Sequence, residues 1–407
     1  MASGKTVAIV LVVVAIIVVA GLALTLKKPA ETQPQPQQQP QQAAQTTSKK
    51  KVRVAVIFDI GGRGDLSFND MAWLGAERAK KELGVEVTYV QSRTPADYRP
   101  NLESLSKSGK YDLIICVGFL MTNDLKKVAA EYPNQKYAII DSVVDLPNVR
   151  SVVFKENEGS ALVGALAGFV TKTNKVGVVL GMEIPVLYHF EAGFYWGVNY
   201  AHNITGKDIK IIYKYTGSFT DAALGKQVAE GMLAQGADVL YNVAGLTGKG
   251  MLDAVYEYDK NKKLEMGPPF AIGVDSDQDW IHPGYIVASM MKRVDNGVFY
   301  CIRDVVYGNF TGGVMALGLK EGGVKMSDEK DLEQFIEIAK ELGAKLPDTP
   351  ENIVKKYKEM RASIPDWVWK DLKELEQKIK SGEIKVPTAN TPEQIKKIRE
   401  RYGATGA

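Results

Sequence analysis

Five places in this chain put a polar group immediately after an apolar run, where a strand would end and a turn begin. Asp59 follows VAVIF, Asp141 follows YAII, and Ala244-Gly245 follow VLYNV. Asp275 follows FAIGV and Lys292 follows IVASMM. A lone Asp in such a place reads first as a helix cap or turn residue. Three acids and one lysine at equivalent strand ends carry more weight. Carboxylates accept hydroxyl and amine protons, so the set suits a neutral, polyhydroxylated ligand. An anion would call instead for arginines or glycine-rich helix N-termini. The polar loop Gly61-Gly62-Arg63-Gly64-Asp65-Leu66-Ser67-Phe68-Asn69-Asp70 follows Asp59 closely, and Ser67 or Asn69 is placed to cap the next helix. Phe68 sits inside this loop, where a large aromatic either packs locally or stacks on a flat ligand.

Other chemistries fit poorly. Gly245-Leu246-Thr247-Gly248-Lys249-Gly250 has two residues where a phosphate loop needs four, and no Ser or Thr follows the lysine. There is no Gly-x-Ser-x-Gly elbow, and His189 and His202, flanking a helix that begins at Glu191, read as surface or packing residues. Two cysteines, Cys116 and Cys301, and three histidines argue against a Cys-built zinc site or an imidazole-rich centre. No metal and no cofactor are expected. The 407 residues carry 51 Lys+Arg against 48 Asp+Glu, and the first 50 residues hold five lysines and one glutamate. The remaining body is near neutrality, which argues against nucleic acid as a partner.

The elements that must position these groups follow from periodicity. Strands are predicted at 52–58, 85–91, 113–117, 137–140 and 149–154, with helices at 70–83, 100–106 and 123–132 between them. The alternation restarts with a helix at 159–171, a strand at 175–180 and a helix at 191–202. Strands at 209–215, 239–242, 270–273 and 286–291 follow, with helices at 221–235 and 248–259. Continuous apolar strands alternating with helices indicate parallel sheets covered on both faces. Two such sets predict an α/β clamp of two lobes, with ligand beyond the carboxyl ends of the strands. The expected division is 51–154 for lobe 1 with a return of the chain at about 284–325, 155–283 for lobe 2, and a helical extension over 326–407 whose Lys/Glu-rich helices form a solvated face.

Ahead of the body, Val7 to Leu26 is an almost unbroken apolar run, long enough at about 20 residues to span a bilayer. Residues 1–28 are therefore expected to be an uncleaved membrane anchor, although Ala20-Gly21-Leu22-Ala23 also has the small-residue pattern of a cleavage site. No cysteine lies near the end of the run to carry a lipid. Residues 29–50 are rich in Gln and Pro and read as a solvated linker.

The loop ending Asp65-Leu66-Ser67-Phe68-Asn69-Asp70 resembles the D-x-S-F-N signature of the basic membrane protein family of ABC-transporter substrate-binding proteins. VGFLMTNDL (117–125), YAIIDS (137–142), EGSALVGALAG (158–168), VGVVLGMEIP (176–185) and EAGFYWGV (191–198) agree in order and spacing. So do NVAGLTGKG (242–250), IGVDSDQ (272–278), ASMMKRVD (288–295) and a closing helix and strand at 373–387. The resemblance implies a type I periplasmic-binding-protein-like clamp, bearing a purine nucleoside between its lobes and handing it to an ABC permease. It is a binder in that reading, not an enzyme. By resemblance Phe68 stacks on the base, Asp59 and Asp141 bond its edge, and Asp275 and Lys292 hold the ribose hydroxyls. Ser67, Asn69 and the backbone at Ala244 and Gly245 complete the shell, with Phe194 on the second face of the base and Phe119 and Tyr241 as competitors. Asp59, Phe68, Asp141 and Lys292 are expected on one lobe, and Ala244, Gly245, Phe194 and Asp275 on the other or beside the hinge. Membrane anchoring implies an extracytoplasmic body. The alternatives are a nucleoside hydrolase-like enzyme built on Asp59 and Asp141, and a tethered receptor for another small polar ligand such as a sugar.

Overall fold

The computed structural model describes residues 51–341 and 343–407. The expected anchor (1–28) and linker (29–50) lie outside the described residues. The first half of the body holds strands β1 (Arg53–Phe58), β2 (Glu86–Gln91), β3 (Leu113–Val117), β4 (Tyr137–Ile140) and β5 (Val149–Phe154). Between them lie α1 (Phe68–Leu83), α2 (Tyr98–Ser108) and α3 (Thr122–Glu131). The second half holds β6 (Lys175–Leu180), β7 (Lys210–Tyr215), β8 (Val239–Val243), β9 (Phe270–Asp275) and β10 (Ile286–Lys292). Its helices are α4 (Glu156–Val170), α5 (Pro185–Thr205), α6 (Ala222–Ala234) and α7 (Gly245–Asn261). Then come α8 (Val294–Val306), β11 (Gly313–Leu317), β12 (Val324–Met326), α9 (Glu329–Glu341), α10 (Pro350–Ala362), α11 (Asp366–Ser381), α12 (Pro392–Arg401) and β13 (Thr405–Gly406).

The strands form two sheets, ordered β11-β5-β4-β3-β1-β2 and β12-β10-β9-β8-β6-β7-β13. Each repeats the same parallel core, second–first–third–fourth–fifth, so the two-lobed α/β class read from the sequence is the fold of this chain. Central strands such as LIICV, YAII and VLYNV are buried throughout because helices cover both faces. The edge strand β2 (EVTYVQ) is mostly exposed and correspondingly polar.

The chain crosses between sheets three times, at β5–α4, β10–α8 and β11–β12. The crossings are laced together: the Lys155 amide donates to Leu317 O at 3.0 Å and the Arg293 amide to Gly323 O at 2.8 Å. The Leu319 amide donates to the Glu158 carboxylate at 2.8 Å. This corrects the expected boundary. Strand β10 belongs to the second sheet, and only α8 and β11 return to the first lobe, α8 packing its Asp295 backbone against Gly75 of α1.

In the second lobe α4 lies against α5 at a separation only glycine permits. A Cβ at Gly197 would stand 2.2 Å from Ala161 O, one at Gly193 2.2 Å from Asn157 O, and one at Gly164 2.3 Å from Phe194 O. The C-terminal helices are more than a solvated face. Leu332, Phe335 and Ile336 of α9, Ile353 and Met360 of α10, and Leu372 and Leu375 of α11 are buried in the main core. Their outer faces carry ion pairs, Lys340–Glu337 three residues apart and Lys380–Glu376 four apart among them. No strand follows α11 at 382–388; that stretch is irregular, and Val386 O accepts from Asn157 Nδ2 at 2.9 Å.

Replacing Gly197 by valine should force α4 from α5 and cost about 1–3 kcal/mol or more of unfolding free energy. Urea melts of the two proteins check this; an unchanged midpoint would contradict the packing.

Candidate functional site

The carboxyl ends of the two sheets face one cavity of about 630 Å³ of empty space, part of it open to solvent. In each sheet the strand order reverses between the first and third strands, which is where open α/β sheets bind ligands. Asp59 stands at the end of β1 beside Gly118 at the end of β3. Gly118 adopts φ 120°, and a Cβ there would come within 2.7 Å of Asp59 Oδ2.

The loop after β1 is organised by Asp65. Its carboxylate accepts from the amides of Ser67 (2.9 Å), Asn69 (2.9 Å) and Asp70 (3.2 Å) and from Asn69 Nδ2 (3.1 Å). It therefore caps α1, a role the sequence reading had given to Ser67 or Asn69. The loop in turn places Phe68, half-buried, on the cavity wall. Asn69 Nδ2 also donates to Asp59 Oδ1 at 3.0 Å, and Asn69 Oδ1 is buried without a partner among the described residues.

The floor is ionic. Lys292, 2% exposed at the end of β10, donates to Asp141 Oδ2 at 2.5 Å and to Glu156 Oε1 at 3.2 Å. Its ammonium also lies 5.0 Å from the Phe68 ring centroid and 5.2 Å from that of Phe190. Asp141 and Asp275 take φ values of 68° and 64°, a conformation few non-glycine residues hold without a tertiary reason. Asp141 Oδ1 is buried and unpartnered among the described residues, while Asp275 Oδ2 accepts from Ser67 Oγ at 2.9 Å across the lobes. Burial pushes Asp141 up to about 7 against the pull of Lys292, and burial likewise raises Asp59 and Asp275. Burial would raise Glu156 too, but Lys292 and His189 outweigh it and hold that carboxyl below its usual range. The carboxylates of Asp141, Glu156 and Asp275 raise Lys292 despite burial, so its ammonium is permanent.

Asp59, Phe68, Asn69, Asp141, Gly245, Asp275 and Lys292 all line this cavity, as does Phe119. Three expected residues do not. Ser67 stands behind Asp275 as a brace, and the Ala244 amide is committed to Asn242 Oδ1 at 2.9 Å. Phe194 is 0% exposed and stacks on Tyr241, ring centroids 5.1 Å apart, inside the second-lobe core. The wall is formed instead by Phe190, one helical turn earlier on α5, and by Phe219. Phe219 sits in Thr216-Gly217-Ser218-Phe219-Thr220-Asp221, a polar loop holding an aromatic just as the Phe68 loop does, a signal the sequence carried. Glu156 had no such signal. Lys292 also belongs to the second sheet, not to the lobe of Asp59 and Asp141, so its bond to Asp141 spans the lobes.

A closed two-lobed clamp with a polar floor and aromatic walls defines the class of substrate-binding proteins. Residues 51–389 match the family described as ABC transporter substrate-binding protein PnrA-like (Bmp), and the chain belongs to it. It is 46% identical over 358 residues to an "uncharacterized lipoprotein" of Pyrococcus abyssi, covering 86% of this chain and 88% of that one. It is 34% identical over 301 residues to the ABC transporter nucleoside-binding protein BmpA of Lactococcus lactis, covering 70% and 84% respectively. A crystal structure of an ABC transporter solute-binding protein from Aeropyrum pernix superposes with a TM-score of 0.82 at 44% identity, covering 86% of this chain and 97% of that one.

The buried acids set a pH dependence. Burial raises Asp65 and Asp259 to about 7, as it does Asp141, with Asp70 adding to the rise at Asp65. Between the unfolded value near 4 and the folded value near 7, the native state binds more protons than the unfolded chain. Stability should therefore fall as pH rises through that window. Thermal melts at pH 5 and pH 8 should show the higher Tm at pH 5; the reverse order would contradict these environments.

Proposed function

We propose that the cavity binds a neutral purine nucleoside, which this substrate-binding protein delivers to an ABC permease. The observation that carries the reading is the pair of unpartnered buried acceptors, Asp141 Oδ1 and Asn69 Oδ1, set among flat aromatic walls. A base offers amine and ring N–H donors for Asp59 and Asp141 and a π-face for Phe68, and a ribose offers hydroxyls for Asp275 and Lys292. The one lysine of the floor is already paired with Asp141 and Glu156, so the cavity offers no uncompensated cation to a phosphate, and a nucleoside suits it better than a nucleotide. The nucleoside-binding name of the Lactococcus relative supports the same ligand class. A sugar alone would leave the aromatic walls without a flat partner.

Ligand contacts from both lobes favour the closed state, which is the form a permease would recognise. Family membership supports a protein that binds without transforming its ligand. The apolar run at 7–26 and the lipoprotein names of the archaeal relatives support a body tethered at the extracytoplasmic face of the membrane. The tether here would be the apolar segment itself, since the cysteines of this chain are at 116 and 301.

Calorimetry on the full chain, unfolded and refolded to remove copurified ligand, tests the proposal with adenosine, guanosine, inosine, uridine and ribose. Strong heat is expected with the purine nucleosides and none with ribose. Phe68→Ala should weaken binding by about 1–3 kcal/mol, the worth of a base–aromatic stack. Silence with every nucleoside would overturn the ligand assignment, and release of reducing sugar would overturn the assignment as a binder.

A further inference from the structure

Lys292 is not placed by the cavity alone. Glu156, which does not line the cavity, opens α4 at the first crossing between the lobes and contacts the same ammonium. One Glu156 oxygen accepts from Lys292 Nζ at 3.2 Å, and the other lies 3.0 Å from His189 Nδ1. The far ring nitrogen of His189, Nε2, lies 3.0 Å from Asn390 Oδ1 in the segment before α12. We propose that Glu156 and His189 are positioning residues for ligand binding, setting how far the Lys292 ammonium reaches into the cavity.

The Glu156 carboxylate only accepts, so His189 donates from Nδ1, and a charged ring donates from Nε2 to Asn390 Oδ1 as well. The groups facing His189 are Glu156 on α4, Asn390 in the C-terminal segment and, beyond Glu156, Lys292 on β10. Burial lowers the His189 pKa, but its bonds to Glu156 and Asn390 raise it above the ordinary histidine value. When His189 is charged, it compensates Glu156 and leaves Lys292 to Asp141 and the ligand. When it is neutral, its Nδ1–H still bonds Glu156, but the charge of that carboxylate is then compensated by Lys292 alone, and the ammonium is pulled back from the cavity. A ligand oxygen that takes a Lys292 N–H loosens the hold on Glu156, so ligand binding should in turn favour the protonated ring. The Glu156 carboxylate is thus shared between the ligand cavity and the C-terminal segment.

The inference rests on the nucleoside reading only for its ligand. The test has two arms on the full chain. In the first, without ligand, the His189 ring is titrated by NMR in wild type, Glu156→Gln and Lys292→Met. Removing the Glu156 charge should lower the His189 midpoint by about one pH unit, a tenfold change in its protonation constant, and removing Lys292 should raise it. A midpoint that Glu156→Gln leaves unmoved overturns the proposal. Should Lys292→Met fail to fold, the conservative Glu156→Gln decides this arm.

In the second arm, inosine affinity is measured from pH 6 to pH 9 in wild type and His189→Gln. Asp141 titrates in the same window with the opposite sign, so the readout is the difference between the two profiles. Wild-type affinity should fall relative to the variant by about tenfold with rising pH. Parallel profiles overturn the proposal. If inosine gives no heat at any pH, the nucleoside reading falls, and the ligand-free titration still decides the network.

Discussion

The buried ammonium of Lys292 is the contact on which the site depends. Burying such an ion costs several kcal/mol unless it is fully paired, and here Asp141, Glu156 and Asp275 surround it. These partners arrive from different parts of the chain: Asp141 from the first sheet, Glu156 from a crossing, and Asp275 from the neighbouring strand of the second sheet. The Lys292–Asp141 bond therefore cannot form unless both lobes are in place.

The duplicated sheet order explains why so few residues suffice. Each lobe offers its switch point to the same cavity, and small residues bring the rims close. Gly118 lets the β3 end approach Asp59, and Gly181 lets the β6 end approach the Phe219 ring, which a Cβ would meet at 2.2 Å. Phe68, after the first strand of its sheet, and Phe219, after the second strand of the other, then reach the cavity from polar loops on opposite lobes, giving two aromatic walls over one charged floor.

The C-terminal segment is part of this arrangement. Arg399 of α12 makes a two-pronged contact with the buried Glu191 carboxylate, at 2.6 Å and 3.0 Å, and Tyr195 and Tyr215 donate to the same group. Asn390 sits just ahead of α12 and faces His189, the residue immediately before Phe190 of the cavity wall. Helix α5 thus carries both the anchor for the C-terminal segment and a wall of the site.

The alternation of apolar strands with helices, the strand-end acids and the aromatic loop at Phe68 were legible in the linear sequence because each is a local pattern. Hydrophobic periodicity names the strands, and a polar residue after a buried strand must lie at its rim. What periodicity cannot say is which sheet a strand joins. Lys292 read as a first-lobe residue because the chain returns to that lobe immediately after it; the hydrogen-bonded register with β9 places β10 in the second sheet. Phe194 and Phe190 differ by one helical turn and share a helix face, so only the packing of α5 on α4 decides that Phe190 meets the cavity and Phe194 the core. Glu156 and His189 lie 33 positions apart and acquire their relation only when α4 and α5 pack. The sequence by itself determined the two-lobed fold, the family and most of the polar groups at the cavity. The tertiary structure alone decided which side chains share the buried charge, because pairing an ion out of water is a matter of distance in space.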